Sequence, residues 1–93
     1  MHTEAKRIEC RVFGKVQGVF YRTYACQKGR ARGLVGKTEN LPDGSVLVAA
    51  EGSEEELRMF IGELSAGPAS AEVLSIDVSW RETTDEFSDF SVQ

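Results

Sequence analysis

Histidine is almost missing from this 93-residue chain: the single one, His2, stands beside the N-terminus, where chains are usually poorly tied down. Catalysis by a histidine base, a cysteine–histidine pair or a histidine-bound zinc is therefore left with almost no residues to perform it. Cysteine is scarce too. Cys10 and Cys26 lie 16 positions apart and match no metal-ligand spacing, so no metal site is expected. One disulfide or two reduced core thiols both remain open, the thiols being the form a reducing compartment favours. No apolar run approaches the roughly 20 residues that span a bilayer. The polar start Met1-His2-Thr3-Glu4-Ala5-Lys6-Arg7 leads into no signal-like apolar stretch. A cytoplasmic protein with no membrane association is the expectation, and no internal repeat or low-complexity segment interrupts the chain.

What is present is ordinary in amount and uneven in placement. Hydrophobic residues make up 41% and charged residues 28%, as in soluble globular domains, and the length suits one domain over residues 1–93. The formal net charge of −4 has the wrong sign for a protein that wraps nucleic acid. Yet nine of the eleven lysines and arginines fall within the first 37 residues. Such an N-terminal half either attracts a small anion or presents a solvated basic face.

Lys6 to Gly14 reads as a strand, with Ile8, Cys10 and Val12 on one face and Glu9 and Arg11 on the other. Gly14-Lys15-Val16-Gln17-Gly18 breaks the alternation as a tight loop. A helix is expected from Phe20 to about Arg32, weakened by Gly29 and stopped by Gly33. Leu34 to Asn40 and Ser45 to Ala50 form a hairpin around the turn Leu41-Pro42-Asp43-Gly44. Ser53-Glu54-Glu55-Glu56 is a capping box, and its acids suit the positive end of a helix dipole. Leu57, Phe60, Ile61 and Leu64 then continue as one helical face to about Ser65. Leu74, Ile76, Val78 and Trp80 alternate with polar residues as the clearest strand, which places Trp80 in the core. Phe87 to Val92 adds a short last strand. The order β-α-β-β-α-β predicts an α+β, ferredoxin-like split βαβ sandwich: an antiparallel sheet of four to five strands with two helices on one face.

That architecture hosts enzymes, ligand-binding modules and RNA-binding domains alike, so function has to come from the site. The most unusual local feature is Gly14-Lys15-Val16-Gln17-Gly18-Val19-Phe20-Tyr21-Arg22. A glycine-bounded loop between a strand and a helix start can turn successive backbone N–H groups inward as a cradle for a tetrahedral anion. Arg22, in the first helical turn, adds a forked and permanently charged donor set. The alternative is a tight β–α connection with a surface arginine.

The stretch resembles the acylphosphatase signature G-x-V-Q-G-V-x-[FY]-R. Gly36-Lys37-Thr38-Glu39-Asn40-Leu41-Pro42-Asp43-Gly44-Ser45-Val46 is similar to the second motif of the same family, G-[FYW]-[AV]-x-N-x-x-D-G-x-V. The resemblance covers nearly the whole chain. It implies hydrolysis of the carboxyl–phosphate bond of a small acyl phosphate to a carboxylate and inorganic phosphate, by a cytoplasmic monomer using no cofactor and no metal. It further implies that the phosphate is bound by Lys15, Val16, Gln17, Gly18, Val19 and Arg22, with the loop's backbone N–H groups at about Val16 to Val19 holding the phosphoryl oxygens. Asn40 would position the attacking water, an uncharged amide offering both donor and acceptor.

The chain departs from the family pattern in places. Phe20 stands where a small residue is usual, and either packs beneath the loop, which an aromatic beside a core helix favours, or narrows the pocket. Lys37 and Thr38 replace an aromatic and a small or apolar residue; Lys37 is expected to be exposed, the other reading being added positive potential near the site. Gly29-Arg30-Ala31-Arg32 lacks the usual leucines, so the end of the first helix is expected to be frayed or less well packed. Glu54 to Glu56 are read as caps rather than metal ligands, and Asp43 as a turn residue rather than an acid catalyst. Two rivals stand beside the enzyme: a silent anion-binding module, against which Arg22 and Asn40 count, and an RNA-binding domain, which would want exposed sheet aromatics and a basic surface.

Overall fold

The computed structural model describes residues 4–93; His2 lies outside them. Strand β1 (Ala5–Lys15) leads into helix α1 (Tyr21–Ala31). Strands β2 (Val35–Asn40) and β3 (Val46–Ser53), helix α2 (Glu54–Ala66), strand β4 (Glu72–Arg81) and strand β5 (Phe90–Val92) follow. The sheet order is β4-β1-β3-β2-β5. β1 lies antiparallel between β3 and β4, and β2 and β3 form the expected hairpin. The fifth strand differs from expectation: it is only three residues long and pairs parallel to β2. β4 and β5 occupy opposite edges, so the chain between them has to cross the sheet.

The core lies between the sheet and its two helices, and the period-2 pattern of β1 fills it. Ile8, Cys10 and Val12 are fully buried, opposite Ala50, Val48 and Val46 of β3. Leu57, Phe60 and Leu64 of α2 close over them with Phe90 of β5. Ser53 caps α2 by accepting from the Glu56 N–H at 3.3 Å. The two helices are tied by tyrosines: Tyr21 donates to the Leu64 carbonyl and Tyr24 to the Glu63 carbonyl, both at 2.7 Å. The first satisfies an acceptor that the last turn of a helix leaves free, and the second joins the Gly67 N–H on a carbonyl already capped. Cys10 and Cys26 are both buried free thiols. Burial pushes the Cys10 thiol up to about 12.

Three further expectations change on contact with the tertiary structure. The β1–β4 register shifts between Phe13 and Gly14, where Ser75 and then Val73 are the successive partners. A bulged residue reverses the alternation beyond it, so Val73 packs on the core while Leu74 is 73% exposed. Trp80 sits opposite Ile8 but on an edge strand, covered by Arg58 of α2 with its guanidinium 5.0 Å from the ring centroid; it remains 39% exposed instead of joining the core. Finally, the end of α1 is well packed. Gly29 is buried, and a β-carbon there would overlap the Phe90 ring, so the residue that weakens the helix by propensity is what lets α1 approach β5.

The open face of the sheet carries a polar cluster that the sequence did not announce. Arg7 donates to Glu51 at 2.7 Å, to Glu9 at 2.9 Å and to Glu86 at 2.8 Å. Glu51 also accepts from the Thr84 N–H at 3.0 Å and the Asp85 N–H at 3.3 Å. Phe87 lies against the Arg7 guanidinium at 5.0 Å rather than in a strand. The β4–β5 connection is thereby fastened across the sheet.

Candidate active site

The β1–α1 loop leaves the sheet after Lys15 and enters α1 without any side-chain cap. Gly18 has φ 72° and Phe20 φ 62°, two left-handed turns within three residues. Among the described residues, no protein acceptor receives the backbone N–H of Val16, Gln17, Gly18 or Val19. No acidic residue stands in the first turn of α1. α2 is the opposite case, with Ser53 and three glutamates occupying its N-terminus. The loop therefore combines free amide donors with the positive end of an uncapped helix.

Outside bonds hold this backbone in shape. Val16 is buried and anchors the loop in the core. Ser70 donates to the Val19 carbonyl at 2.7 Å, which turns that carbonyl toward Ser70. The Gln17 side chain donates through Nε2 to the Leu41 carbonyl at 2.9 Å and the Ser45 carbonyl at 2.8 Å. Gln17 thus works through its amide side chain, bolting the loop to the β2–β3 turn. None of these three bonds was readable from sequence: Ser70 is 51 positions away from Val19, and motif spacing says nothing about where a glutamine side chain ends.

A pocket of about 230 Å³ opens at this point, lined by Val16, Gly18, Phe20, Tyr21, Arg22 and Thr23. Arg22 is half-buried and donates to the Gln93 main-chain oxygen at 2.6 Å. The Gln93 N–H in turn donates to the Thr38 carbonyl at 2.7 Å. Asn40 pairs with Val46 at the end of β2, and Val46 is a core residue. Directly opposed residues share a face, so Asn40 lies on the helix-bearing side, two strand positions beyond Thr38. Arg22 and Asn40 are thus drawn to one side of the sheet with no hydrogen bond between them among the described residues. Lys15 is exposed at the end of β1 opposite Glu72. Lys15, Gln17, Val19 and Asn40 do not line the pocket itself.

Phe20 is not packed beneath the loop. Its residue is 80% exposed, because a left-handed backbone at the helix entrance carries the side chain outward onto the pocket rim. Lys37 is also not freely exposed: it is half-buried and pairs with Glu39 at 3.3 Å. Asp43 does act as a turn residue, accepting from the Ser45 N–H at 3.0 Å and bonding Arg11. The Ser45 hydroxyl, then its backbone N–H, hold the Asp43 carboxyl below its usual range, with Arg11 adding to the effect. Among the described residues, no three His, Cys, Asp or Glu side chains gather in a group able to hold a metal.

A split βαβ sandwich with an open amide loop and an arginine at its helix entrance has the donors to receive a small tetrahedral anion. The family model described as Acylphosphatase matches residues 8–92. An acylphosphatase of Thermus thermophilus is 47% identical over 76 residues, covering 82% of this chain and 86% of that one. One of Methylococcus capsulatus is 41% identical, covering 94% and 95%. Among solved structures, the acylphosphatase of Bacillus subtilis superposes with a TM-score of 0.91 at 30% identity, covering 95% of this chain and 98% of that one. The chain belongs to the acylphosphatase family, and the enzyme class expected from its two motifs stands.

Proposed function

We propose that this chain, as one domain over residues 1–93, hydrolyses the carboxyl–phosphate bond of a small acyl phosphate at the β1–α1 loop. The observation that carries the reading is the run of unpaired N–H groups from Val16 to Val19 beside Arg22. Those donors and the guanidinium surround a phosphoryl group and stabilise the charge on its equatorial oxygens. The Lys15 ammonium, at the loop's entrance, adds positive potential. Asn40 holds the attacking water through its amide, presenting no charge to the anionic substrate.

Such a site needs no general base of its own. The leaving group is a carboxylate whose conjugate acid has a pKa of about 4, so it departs unprotonated. Loose phosphoryl-transfer transition states ask little of the nucleophile and leave positioning and electrostatics as the chief demands. Alkoxide leaving groups need more help than this set of residues supplies, which restricts the substrate to activated anhydrides. The unbridged thiols Cys10 and Cys26 support a reducing, cytoplasmic setting. The acidic balance and the Glu9, Glu51 and Glu86 cluster on the open sheet face argue against a nucleic-acid partner, and the protein is taken to act as a monomer.

The test is benzoyl phosphate hydrolysis with EDTA present, comparing the native chain with Arg22→Ala and Asn40→Ala. Turnover that falls about 10³-fold in Arg22→Ala, by analogy with other phosphate-binding arginines, and about 10²-fold in Asn40→Ala, with both variants folded, is the expected result. A folded native protein without turnover overturns the reading, and retained phosphate binding would then identify a silent anion-binding module.

A further inference from the structure

We propose that Phe20 selects the acyl group, giving aromatic acyl phosphates an advantage over short aliphatic ones; this rests on the phosphoryl-binding site described above. Phe20 is the most exposed of the large hydrophobic residues among those described, at 80%, and it stands on the rim of the pocket that Arg22 lines. It takes no part in either aromatic pair of the molecule, Tyr21–Tyr24 and Phe60–Phe90, found among the described residues. Nor does loop geometry call for it. At φ 62° and ψ 21° the backbone is left-handed, a conformation that glycine adopts freely and a bulky residue resists. A residue that is unfavourable for the loop, unburied and beside the site is one whose use lies in what enters the pocket.

The substrate's own connectivity says what meets it. One bridging oxygen joins the phosphorus to the acyl carbon, so a phosphoryl group seated between the loop amides and Arg22 leaves the acyl group only a few ångströms away, at the mouth. A planar aryl group there can lie against the exposed Phe20 ring in the offset or edge-on arrangement that aromatic pairs favour. A methyl or other short aliphatic acyl group has too little surface to use it. The contact exists equally before and during phosphoryl transfer, so it acts as uniform binding and is read mainly in KM.

The experiment compares kcat/KM for benzoyl phosphate and acetyl phosphate in the native chain, Phe20→Gly and Phe20→Tyr. The benzoyl-to-acetyl ratio is expected to fall about 3- to 10-fold in Phe20→Gly, the size of one aromatic pair contact, chiefly through KM, and to be kept in Phe20→Tyr. Circular dichroism checks folding, which Phe20→Gly should not weaken because glycine suits the left-handed backbone. A ratio unchanged in Phe20→Gly, or an equal loss for both substrates, overturns the inference while leaving the hydrolase reading standing. A native chain that turns over neither substrate overturns the hydrolase reading and this inference together.

Discussion

Gln17 reaches 2.9 Å from its Nε2 to the main-chain carbonyl of Leu41, the residue that follows Asn40. One side chain thus fixes the distance between the loop proposed to hold phosphate and the strand end proposed to hold water. A second bond, to Ser45, locks the turn from its other side. Gln17→Ala is therefore expected to lower kcat/KM for an acyl phosphate by about 10- to 100-fold through misplacement. Its folding stability should fall by only about 1–3 kcal/mol for the two lost bonds, because the Leu41 and Ser45 carbonyls keep main-chain donors in the Gly44 and Leu41 N–H groups. Steady-state kinetics beside urea unfolding checks this, and equal losses of activity in Gln17→Ala and an equally destabilised core variant would refute the positioning role.

Replacing Gly29 by alanine should destabilise the protein although it improves helix propensity. The gain from propensity is about 1 kcal/mol at most, whereas the new methyl overlaps the Phe90 ring, and overpacking typically costs about 1–3 kcal/mol. Phe90 is fully buried and also takes part in an edge-on pair with Phe60 at 5.7 Å, so it has little room to move. The double variant Gly29→Ala with Phe90→Leu should lose less than the sum of its single changes, since the two residues share one contact. Thermal unfolding of the four proteins measures that coupling directly.

This glycine marks the limit of what the chain discloses before it is folded. Local signals were legible: the alternation of Ile8, Cys10 and Val12, the Ser53 capping box and the Asp43-Gly44 turn each depend on residues a few positions apart. Misread features were those decided by a distant partner. Gly29 looked like a weak helix end because Phe90 lies 61 positions later. Leu74 looked like core because the bulge opposite Phe13 and Gly14 is invisible in a single strand. Trp80 had the inward register but not the cover, since edge position is a property of the sheet. At the site, the glycines and Arg22 were readable because a loop that exposes its own N–H groups needs them locally. The outward throw of Phe20 depended on a backbone angle, and the bonds that brace the loop depended on tertiary geometry.

Arg7 and Glu51 make stability depend on acid in a defined direction. Burial alone would raise the Glu51 carboxyl, but donation from the Thr84 N–H, Arg7 and the Thr84 hydroxyl outweighs it and holds the group below the ordinary glutamate range. A carboxylate with a lowered folded-state pKa adds stability that is complete above its unfolded value, about 4.3, and is lost as pH falls through the folded value. The native protein should therefore lose stability below about pH 5 more steeply than Glu51→Gln, with the two curves converging in strong acid. Arg7→Leu, which leaves the buried carboxylate without its cation, is expected to cost about 3 kcal/mol at pH 7. Urea unfolding from pH 7 to pH 2 tests both statements, and parallel pH profiles for the native protein and Glu51→Gln would contradict the first.

Inorganic phosphate, a product of the proposed reaction, should bind the same loop and raise the unfolding temperature. A ligand that binds only the folded state stabilises it by RT ln(1 + [L]/Kd), about 2.7 kcal/mol at one hundred times Kd. Arg22 already donates to the Gln93 main-chain oxygen at 2.6 Å through one nitrogen, whereas a phosphate seated in the loop can meet the guanidinium fork with two oxygens at once, so the guanidinium should shift its donors to the anion when it arrives. The thermal shift should accordingly vanish in Arg22→Ala but survive in Asn40→Ala, because Asn40 is assigned to the water and not to the phosphate. Raising the ionic strength should reduce the shift in the native protein, since the half-buried Arg22 is only partly protected from screening. A shift of equal size in the native protein and Arg22→Ala would place the phosphate somewhere other than this loop.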